Sequence, residues 1–196
     1  MRRSLALASI LLAAGVAAGM RKRRQRAPLR TVDQVDLGRY AGTWYEIARF
    51  PKRYERGCTR SAATYTLRSD GGLDVRNECR MGSFDGPVKS VEGRARVVDP
   101  RSCAKLEVRF FWPFWGAYWI IDLGPDYEYA VVGNPSRESL WILSRTPRMP
   151  DAVYQAILRR LDVQGYDTRR LVRTPQLLQE RPLPTIVSGV PLPGTP

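Results

Sequence analysis

The sequence of 196 residues contains no histidine and only three cysteines. The lack of histidine excludes a Ser-His-Asp type triad, a histidine metal ligand and a histidine-ligated haem. Cys58, Cys79 and Cys103 also lack the close paired spacing that is typical of zinc sites. We therefore expect neither a metal nor a cofactor, and any function must rest on other side chains.

The first 30 residues differ in composition from the rest of the chain. They hold eight Arg or Lys residues and no acidic residue. The basic start Met1-Arg2-Arg3 and the apolar stretch 5–18 are typical of a secretory signal, since the stretch is too short to cross a bilayer comfortably. Basic residues within 21–26 oppose export, so an uncleaved anchor or a true start at Met20 remain alternatives. The pattern favours export to the bacterial cell envelope, either the periplasm or the outer membrane.

Two further absences limit what the leader implies. No cysteine precedes Cys58, so the sequence does not support lipid attachment just after the apolar stretch. The net charge of +13 suggests a nucleic-acid partner, yet most of that excess lies in residues 1–30. The rest of the chain shows no recognition helix, RNA-binding strand motif or zinc finger, so we expect no nucleic-acid partner.

Residues 43–145 show short alternating apolar and polar stretches that turn residues interrupt. In 105–110, for example, Leu106, Val108 and Phe110 alternate with charged residues, which indicates a half-buried strand. Eight such strands in hairpin order predict an all-β, antiparallel up-and-down β-barrel whose interior can hold one small ligand. The predicted strands span 43–50, 62–67, 73–79, 91–97, 105–110, 117–123, 127–133 and 139–145.

The residue pattern changes after the last predicted strand. Pro150 and Asp151 mark a helix start, an apolar stripe at helical spacing follows, and Gly165 is suited to end the helix. We expect this helix to pack on the outside of the barrel, and 167–173 to add a short ninth strand. The chain is thus divided into a leader at 1–30, a barrel with its helix at 31–176, and a disordered proline-rich tail at 177–196.

Three separate motifs resemble those of the lipocalin family, and they occur in the family's order. Gly42-Thr43-Trp44 is similar to its Gly-x-Trp motif, 126–132 to its motif after the sixth strand, and 140–147 to its final motif ending in an arginine. The run from Gly42 to Phe50 resembles bacterial outer-membrane lipocalins and apolipoprotein D in particular. Tyr54 departs mildly, because those relatives usually carry Phe there. The resemblance covers about residues 33–176.

The resemblance assigns structural roles to three residues. It implies that Trp44 and Arg145 meet at the closed end of the barrel, with the guanidinium over the indole ring. It also implies that Gly42 permits the tight entry into the first strand, behind a short 3₁₀ turn at 36–40.

The cysteines allow one disulfide in an oxidising envelope. Cys58 and Cys79 bracket a predicted hairpin and could pair, which would leave Cys103 over. Three thiols without a role remain the alternative.

Candidate ligand-binding residues are those that should face the barrel interior. Tyr65 and Trp141 match positions where apolipoprotein D-like proteins place aromatic side chains against ligand, and Asn77 lies on the apolar face of its strand as a polar anchor. Ordinary core packing is the alternative for each aromatic residue. Strand alternation and the aromatic run 110–119 add further candidate ligand-binding residues, namely Leu67, Leu106, Val108, Phe110, Trp112, Tyr118 and Leu143.

Two groups of residues suggest further contacts. Arg60, Lys89 and Arg80 are candidates to face an acidic ligand head group. The aromatic run is too dense to be fully buried, so part of it should lie exposed at one end of the barrel and contact a membrane or a partner. A homodimer that forms through this surface is an alternative.

The resemblance implies a non-enzymatic carrier that binds a fatty acid or a lysophospholipid and supports membrane maintenance in the envelope. The alternative is a lipocalin-fold enzyme acting on an apolar substrate. That alternative needs a reactive group in the interior, and Cys79 is the residue that could supply a thiolate.

Overall fold

The computed structural model describes residues 27–177, and these form a closed antiparallel barrel. Each strand pairs with the next along the chain, and the first strand pairs with both the eighth and the second, which closes the sheet. The prediction of an eight-stranded up-and-down barrel is therefore confirmed. The strands are β1 (Gly42–Arg49), β2 (Cys58–Leu67), β3 (Leu73–Met81), β4 (Val88–Val97), β5 (Lys105–Arg109), β6 (Gly116–Leu123), β7 (Tyr129–Gly133) and β8 (Leu140–Ser144).

The two ends of the barrel carry different loops. The chain enters β1 and leaves β8 at one end, which we call the closed end. Because the strands alternate in direction, the loops 50–57, 82–87, 110–115 and 134–139 all lie at the other end, which we call the open end. Two hydrogen bonds agree with that: Lys52 Nζ donates to the carbonyl of Glu138 in another of these loops, and Lys89 Nζ, at the start of β4, donates to the carbonyl of Tyr54.

Several strands are longer than their sequence pattern indicates. β2 begins at Cys58 rather than at Ala62, because its pairing with β3 shifts register between Thr59 and Ala62. Arg60 lies within that irregularity and has a positive φ of 51°. A bulge of this kind breaks the two-residue alternation, so the first part of the strand carries no periodic signal.

Apolar residues form one layer inside the barrel and another outside it. β8 shows the division, since Trp141 and Leu143 belong to the inner layer whereas Leu140 and Ile142 belong to the outer one. Helix α2 (Asp151–Val163) covers the outer layer with Tyr154, Ile157 and Leu161. Gly165, at a φ of +82°, follows the helix end as its sequence predicts.

Two short elements differ from their predictions. Residues Leu37–Tyr40 form one α-helical turn, α1, rather than a 3₁₀ turn, because the amides of Tyr40 and Ala41 bond four residues back. The Asp36 carboxylate accepts from the amides of Gly38 and Arg39 and caps this turn. The ninth strand, β9, is limited to Val172–Arg173, since a 3₁₀ turn takes up the residues before it.

The predicted tail at 177–196 and most of the predicted leader at 1–30 lie outside the described residues. Leu29, which the sequence assigns to the leader, is buried in the outer layer beneath α2. Within residues 27–177, no helix has both the length and the apolar character needed to cross a membrane.

Candidate functional site

Arg145 seals the closed end of the barrel over Trp44. Its guanidinium carbon lies 3.8 Å from the centroid of the Trp44 ring, and Trp44 is fully buried. The same guanidinium donates hydrogen bonds to the carbonyls of Thr43, Arg39, Tyr40 and Tyr127. These contacts leave no opening for a ligand at this position, so the role of both residues is structural.

Gly42 allows this close approach. Its φ is +97°, and a Cβ built on it would lie 3.2 Å from Arg145 Nη1. A larger residue would therefore be strained in its backbone and crowded by the arginine. The Gly-x-Trp sequence thus fixes the geometry of the closed end.

Three tyrosines form a hydrogen-bonded cluster in the interior. Tyr118 Oη lies 2.7 Å from Tyr40 Oη and 2.8 Å from Tyr65 Oη. Burial raises the pKa of Tyr65 to about 12 and the pKa values of Tyr40 and Tyr118 well above 10. The three hydroxyls therefore keep their protons at neutral pH. Two hydrogen bonds use two of these protons, so one O–H remains free to donate to a ligand or to water.

The inner layer contains fully buried side chains near the closed end and partly exposed ones towards the open end. Tyr40, Trp44, Leu73 and Leu106 have no exposed surface. Other residues that pack against the same inner layer keep part of their surface exposed, and so does Asn77 on the inward face of β3. This exposed part of the wall is the candidate ligand site, and its members are Asn77, Val108, Phe110, Tyr118 and Trp141.

Asn77 contributes an unpaired polar atom to this wall. Its Oδ1 is buried and has no hydrogen-bond partner among the described residues. Burying an unpaired amide oxygen is costly, so this atom is available to a donor that enters the barrel. The neighbours of Asn77 across the sheet are Ala63 and Val91, neither of which has a polar side chain.

A charged cluster also faces inward on the β1 side of the barrel. Glu46 and Arg49 lie opposite Leu143 and Trp141 of β8, which face the interior. The Arg49 guanidinium lies 3.3 Å from Glu46 Oε1, and its Nε donates to Glu55 Oε2 over 2.9 Å. Its remaining bonds go to the Glu55 carbonyl and to Thr174 Oγ1.

This cluster has more acid than base. Burial and, to a smaller extent, the charge of Glu55 raise the pKa of Glu46 to about 7, against the opposing effects of Thr174 and Arg49. Burial also raises the pKa of Glu55. Each nitrogen of the Arg49 guanidinium donates to the protein, and Glu46 and Glu55 lie within ion-pair distance of it, so two acids already compensate its charge.

The sequence patterns missed most of this cluster. Glu46 could have been found, because it lies two residues from Trp44 and so shares its inward face. Arg49 could not, since a register shift between Glu46 and Ala48 changes the parity of the strand. Thr174 comes from the segment after β9, where its amide donates to the carbonyl of Ile47.

Two predicted ligand-binding residues lie elsewhere. Leu67 is 47% exposed, because it is the last residue of β2 and sits beside the turn at the closed end. Trp112 is 82% exposed, because β5 ends at Arg109 and strand alternation no longer directs the side chain inward. Neither side chain therefore lies in the inner layer, and their contact with a ligand stays a prediction. In contrast, Tyr65, Leu106 and Leu143 are buried members of the inner layer.

The predicted head-group residues hold loops at the open end. Arg60 Nη1 donates to the carbonyl of Phe84, and Arg80 Nη1 donates to the carbonyl of Gly86. Lys89 Nζ donates to the carbonyl of Tyr54. These backbone contacts give all three side chains a structural role.

The cysteines form one disulfide, between Cys58 and Cys79, and Cys103 is free. The disulfide joins the start of β2 to the end of β3, near the open end. Because Cys79 is bonded, it offers no thiolate for catalysis. Residues 27–177 also contain no group of three or more side chains placed to hold a metal ion.

The fold and the site together define a small barrel with one sealed end, an apolar interior and a partly accessible upper wall, as in proteins that bind small apolar ligands. A model of the lipocalin-like domain matches residues 35–176. The chain therefore belongs to the lipocalin family.

Two relatives and one solved structure show what the chain is similar to. It is 44% identical over 141 residues to the outer membrane lipoprotein Blc of Escherichia coli K12, which covers 72% of this chain and 79% of that protein. It is 36% identical over 155 residues to apolipoprotein D of Macaca fascicularis, covering 74% and 78%. The solved structure of insecticyanin from Manduca sexta matches with a TM-score of 0.59 at 20% identity, covering 74% of this chain and 83% of that one.

Proposed function

We propose that this protein binds a fatty acid or a lysophospholipid inside the barrel and carries or stores it in the bacterial cell envelope, without catalysis. The observation that carries the proposal is the contrast along the inner wall. Inward residues are fully buried near Trp44, whereas Val108, Phe110 and Trp141 remain partly exposed higher up. Members of the lipocalin family generally bind small hydrophobic molecules, and this wall suits such a ligand.

The chemistry of the wall favours an acyl chain inside and a polar head towards the open end. Each methylene buried against apolar side chains contributes about 0.8 kcal/mol. Arg49 is already paired with Glu46 and Glu55, so a ligand carboxylate gains little there. Exposed basic residues on the loop 50–57, Arg53 and Arg56, are better placed for an acidic head.

The envelope location rests on three observations. The N-terminal pattern is typical of a secretory signal. The Cys58–Cys79 disulfide suits an oxidising compartment. The relatives with 44% identity are named outer membrane lipoproteins. How the chain is anchored is a separate question, since no cysteine precedes Cys58.

Filling the accessible interior tests the proposal. Val108 packs against the inner layer, and its neighbours across the sheet, Ala95 and Gly116, are small, so a larger side chain at this position takes up room inside the barrel. Val108→Trp should lower the affinity for a fluorescent fatty acid at least tenfold. Val163→Trp, on the exposed surface of α2, is the matched control and should bind as the wild type does.

Two further measurements make the result decisive. A lysophospholipid should displace the fluorescent fatty acid from the wild type, and circular dichroism should show that both variants keep the barrel. If the wild type binds neither lipid at micromolar concentration, or if a folded Val108→Trp variant binds as tightly as the control, the proposal fails.

A further inference from the structure

The loop 110–115 exposes three large aromatic side chains at the open end. Phe111 is 73%, Trp112 82% and Phe114 78% exposed. These are all the strongly exposed Phe and Trp residues within 27–177. Single exposed apolar residues are normal, but a cluster of this size marks a contact surface.

The loop is held in shape at its base. The Trp115 ring contacts two guanidiniums, with Arg96 at 4.2 Å and Arg109 at 4.6 Å from the ring centroid. The amide of Phe114 also donates to the carbonyl of Phe111 and closes a turn. The three exposed rings therefore project from a supported turn, and little ordering is needed when they bind a partner.

The position of the loop connects it to the ligand site. Strand β5 leads into the loop and carries Val108 on the inner wall. The loop begins with Phe110, directly after the last residue of β5. Tyr54 and Val88, which are also exposed, belong to the same end of the barrel. The aromatic loop and the accessible interior thus share one end of the molecule.

Charge at this end identifies the kind of surface that fits. The loop 110–115 contains no charged residue. On the opposite side of the same end, the loop 50–57 carries Lys52, Arg53 and Arg56 against one acidic residue, Glu55, which is bonded to Arg49. An end of the barrel that presents aromatic rings on one side and basic side chains on the other matches the interface of an anionic membrane, where rings enter the head-group region and cations meet phosphates.

We propose that the open end docks on an anionic lipid bilayer, with Phe111, Trp112 and Phe114 entering the head-group region. Docking brings the open end of the barrel against the membrane, so a lipid can pass between bilayer and interior without crossing water. The lipid-transfer part rests on the proposed function, whereas the docking itself does not. A second copy is the competing occupant, but the mostly basic charge of loop 50–57 is matched better by an anionic bilayer than by the same loop surface of a second copy.

Tryptophan quenching by brominated lipid tests the docking in the full-length chain. The apolar leader at 5–18 contains no tryptophan, so quenching reports on the barrel even if the leader also binds lipid. Vesicles of phosphatidylglycerol and phosphatidylethanolamine serve as the anionic surface, and phosphatidylcholine vesicles as the neutral one. We expect strong quenching on the anionic vesicles and at least tenfold weaker binding to the neutral ones.

Four variants localise the contact. Trp112→Phe keeps the apolar ring but should remove more than half of the quenching. Phe111→Ser/Phe114→Ser should reduce quenching at least fivefold. Val98→Ser/Val163→Ser removes two exposed apolar side chains outside the open end and should change nothing. Arg53→Gln/Arg56→Gln should weaken quenching on the anionic vesicles relative to the wild type and leave quenching on the neutral vesicles unchanged.

The proposal is overturned if Trp112→Phe leaves quenching unchanged, or if the Val98/Val163 control loses as much as the Phe111/Phe114 variant. It is also overturned if the wild type forms a dimer that Phe111→Ser/Phe114→Ser disperses while no lipid quenching occurs. Uptake of a fatty acid from solution separates the two proposals. A wild type that docks but takes up no lipid contradicts the carrier role alone, and one that takes up lipid but never docks contradicts only the docking.

Discussion

The carboxylate of Glu46 and the guanidinium of Arg49 lie 3.3 Å apart inside the barrel, and each side chain is 9% exposed. Glu55 shares the same guanidinium at 2.9 Å. One arginine therefore pairs with two carboxylates in a region of low dielectric, so the negative charge of Glu46 is only partly compensated. Burial and the charge of Glu55 raise its pKa from 4.5 to about 7. The protein thus holds a buried carboxyl group that changes charge near neutral pH.

This group should make stability depend on pH. Between about pH 4.5 and 7 the unfolded chain ionises Glu46 while the folded chain keeps it protonated, so the folded state binds more protons and the free energy of unfolding falls as pH rises. Relative to Glu46→Gln, the wild type should lose about 3 kcal/mol over this window. Urea unfolding at pH 5, 6, 7 and 8 measures the difference.

The chain suits this measurement because it has no histidine. No side chain with an ordinary pKa titrates near neutral pH, so the background slope is small. Glu107→Gln removes the exposed ion pair with Arg96 and serves as the control. Equal slopes for the wild type and Glu46→Gln would contradict the assignment of this titration to Glu46.

The barrel itself could be predicted from local patterns. Alternation along 105–110 places Leu106 and Val108 on one face of a strand, independently of the rest of the chain. The turn residues 69–72 predict the hairpin between the strands on either side of them. Both signals act over a few residues. The strands and the hairpin can therefore be predicted without knowing which strands pair in the sheet.

The interior could be predicted only in part. The Arg49 side chain enters the barrel because a register shift in β1 changes its face, and Thr174 arrives from a segment 125 residues away in sequence. Trp112 has the same parity as Phe110, yet it lies beyond the end of β5, and parity carries no information there. Bulges, strand ends and long-range contacts are set by tertiary packing, which a single sequence does not show locally.

Arg145 should be difficult to replace, even by lysine. Its planar guanidinium reaches four backbone carbonyls while it stacks on Trp44. An ammonium group cannot do both. Arg145→Lys should lower the free energy of unfolding by about 2 kcal/mol, as expected for losing hydrogen bonds to a charged group. Arg148→Lys, on the exposed segment after β8, should change it by less than about 0.5 kcal/mol, and equal losses in the two variants would refute this role.

The disulfide should stabilise the barrel through the loop that it closes. Cys58 and Cys79 are 21 residues apart, and a loop of that size corresponds to about 3 kcal/mol in the chain-entropy model. Cys58→Ser/Cys79→Ser should lose about that amount, whereas Cys103→Ser should be nearly neutral. Thiol titration of the denatured, unreduced protein checks the pairing directly. It should find one free thiol per chain, and three would contradict the disulfide.

Asn77 should trade stability against ligand recognition. Its buried Oδ1 lacks a partner, so Asn77→Leu, which has a similar volume, should raise the free energy of unfolding of the ligand-free protein by about 1 kcal/mol. Asn134 is the matched control, because its Oδ1 accepts from the amides of Glu138 and Ser139, and Asn134→Leu should therefore destabilise the protein.

Asn77→Leu should also weaken the binding of a lysophospholipid with a free hydroxyl about fivefold and leave the binding of a fatty-acid anion unaffected, because only the former can donate to Oδ1. Calorimetric titration with both lipids separates the two effects. If Asn77→Leu destabilises as Asn134→Leu does, Oδ1 is satisfied in the ligand-free protein and is not held open for a ligand.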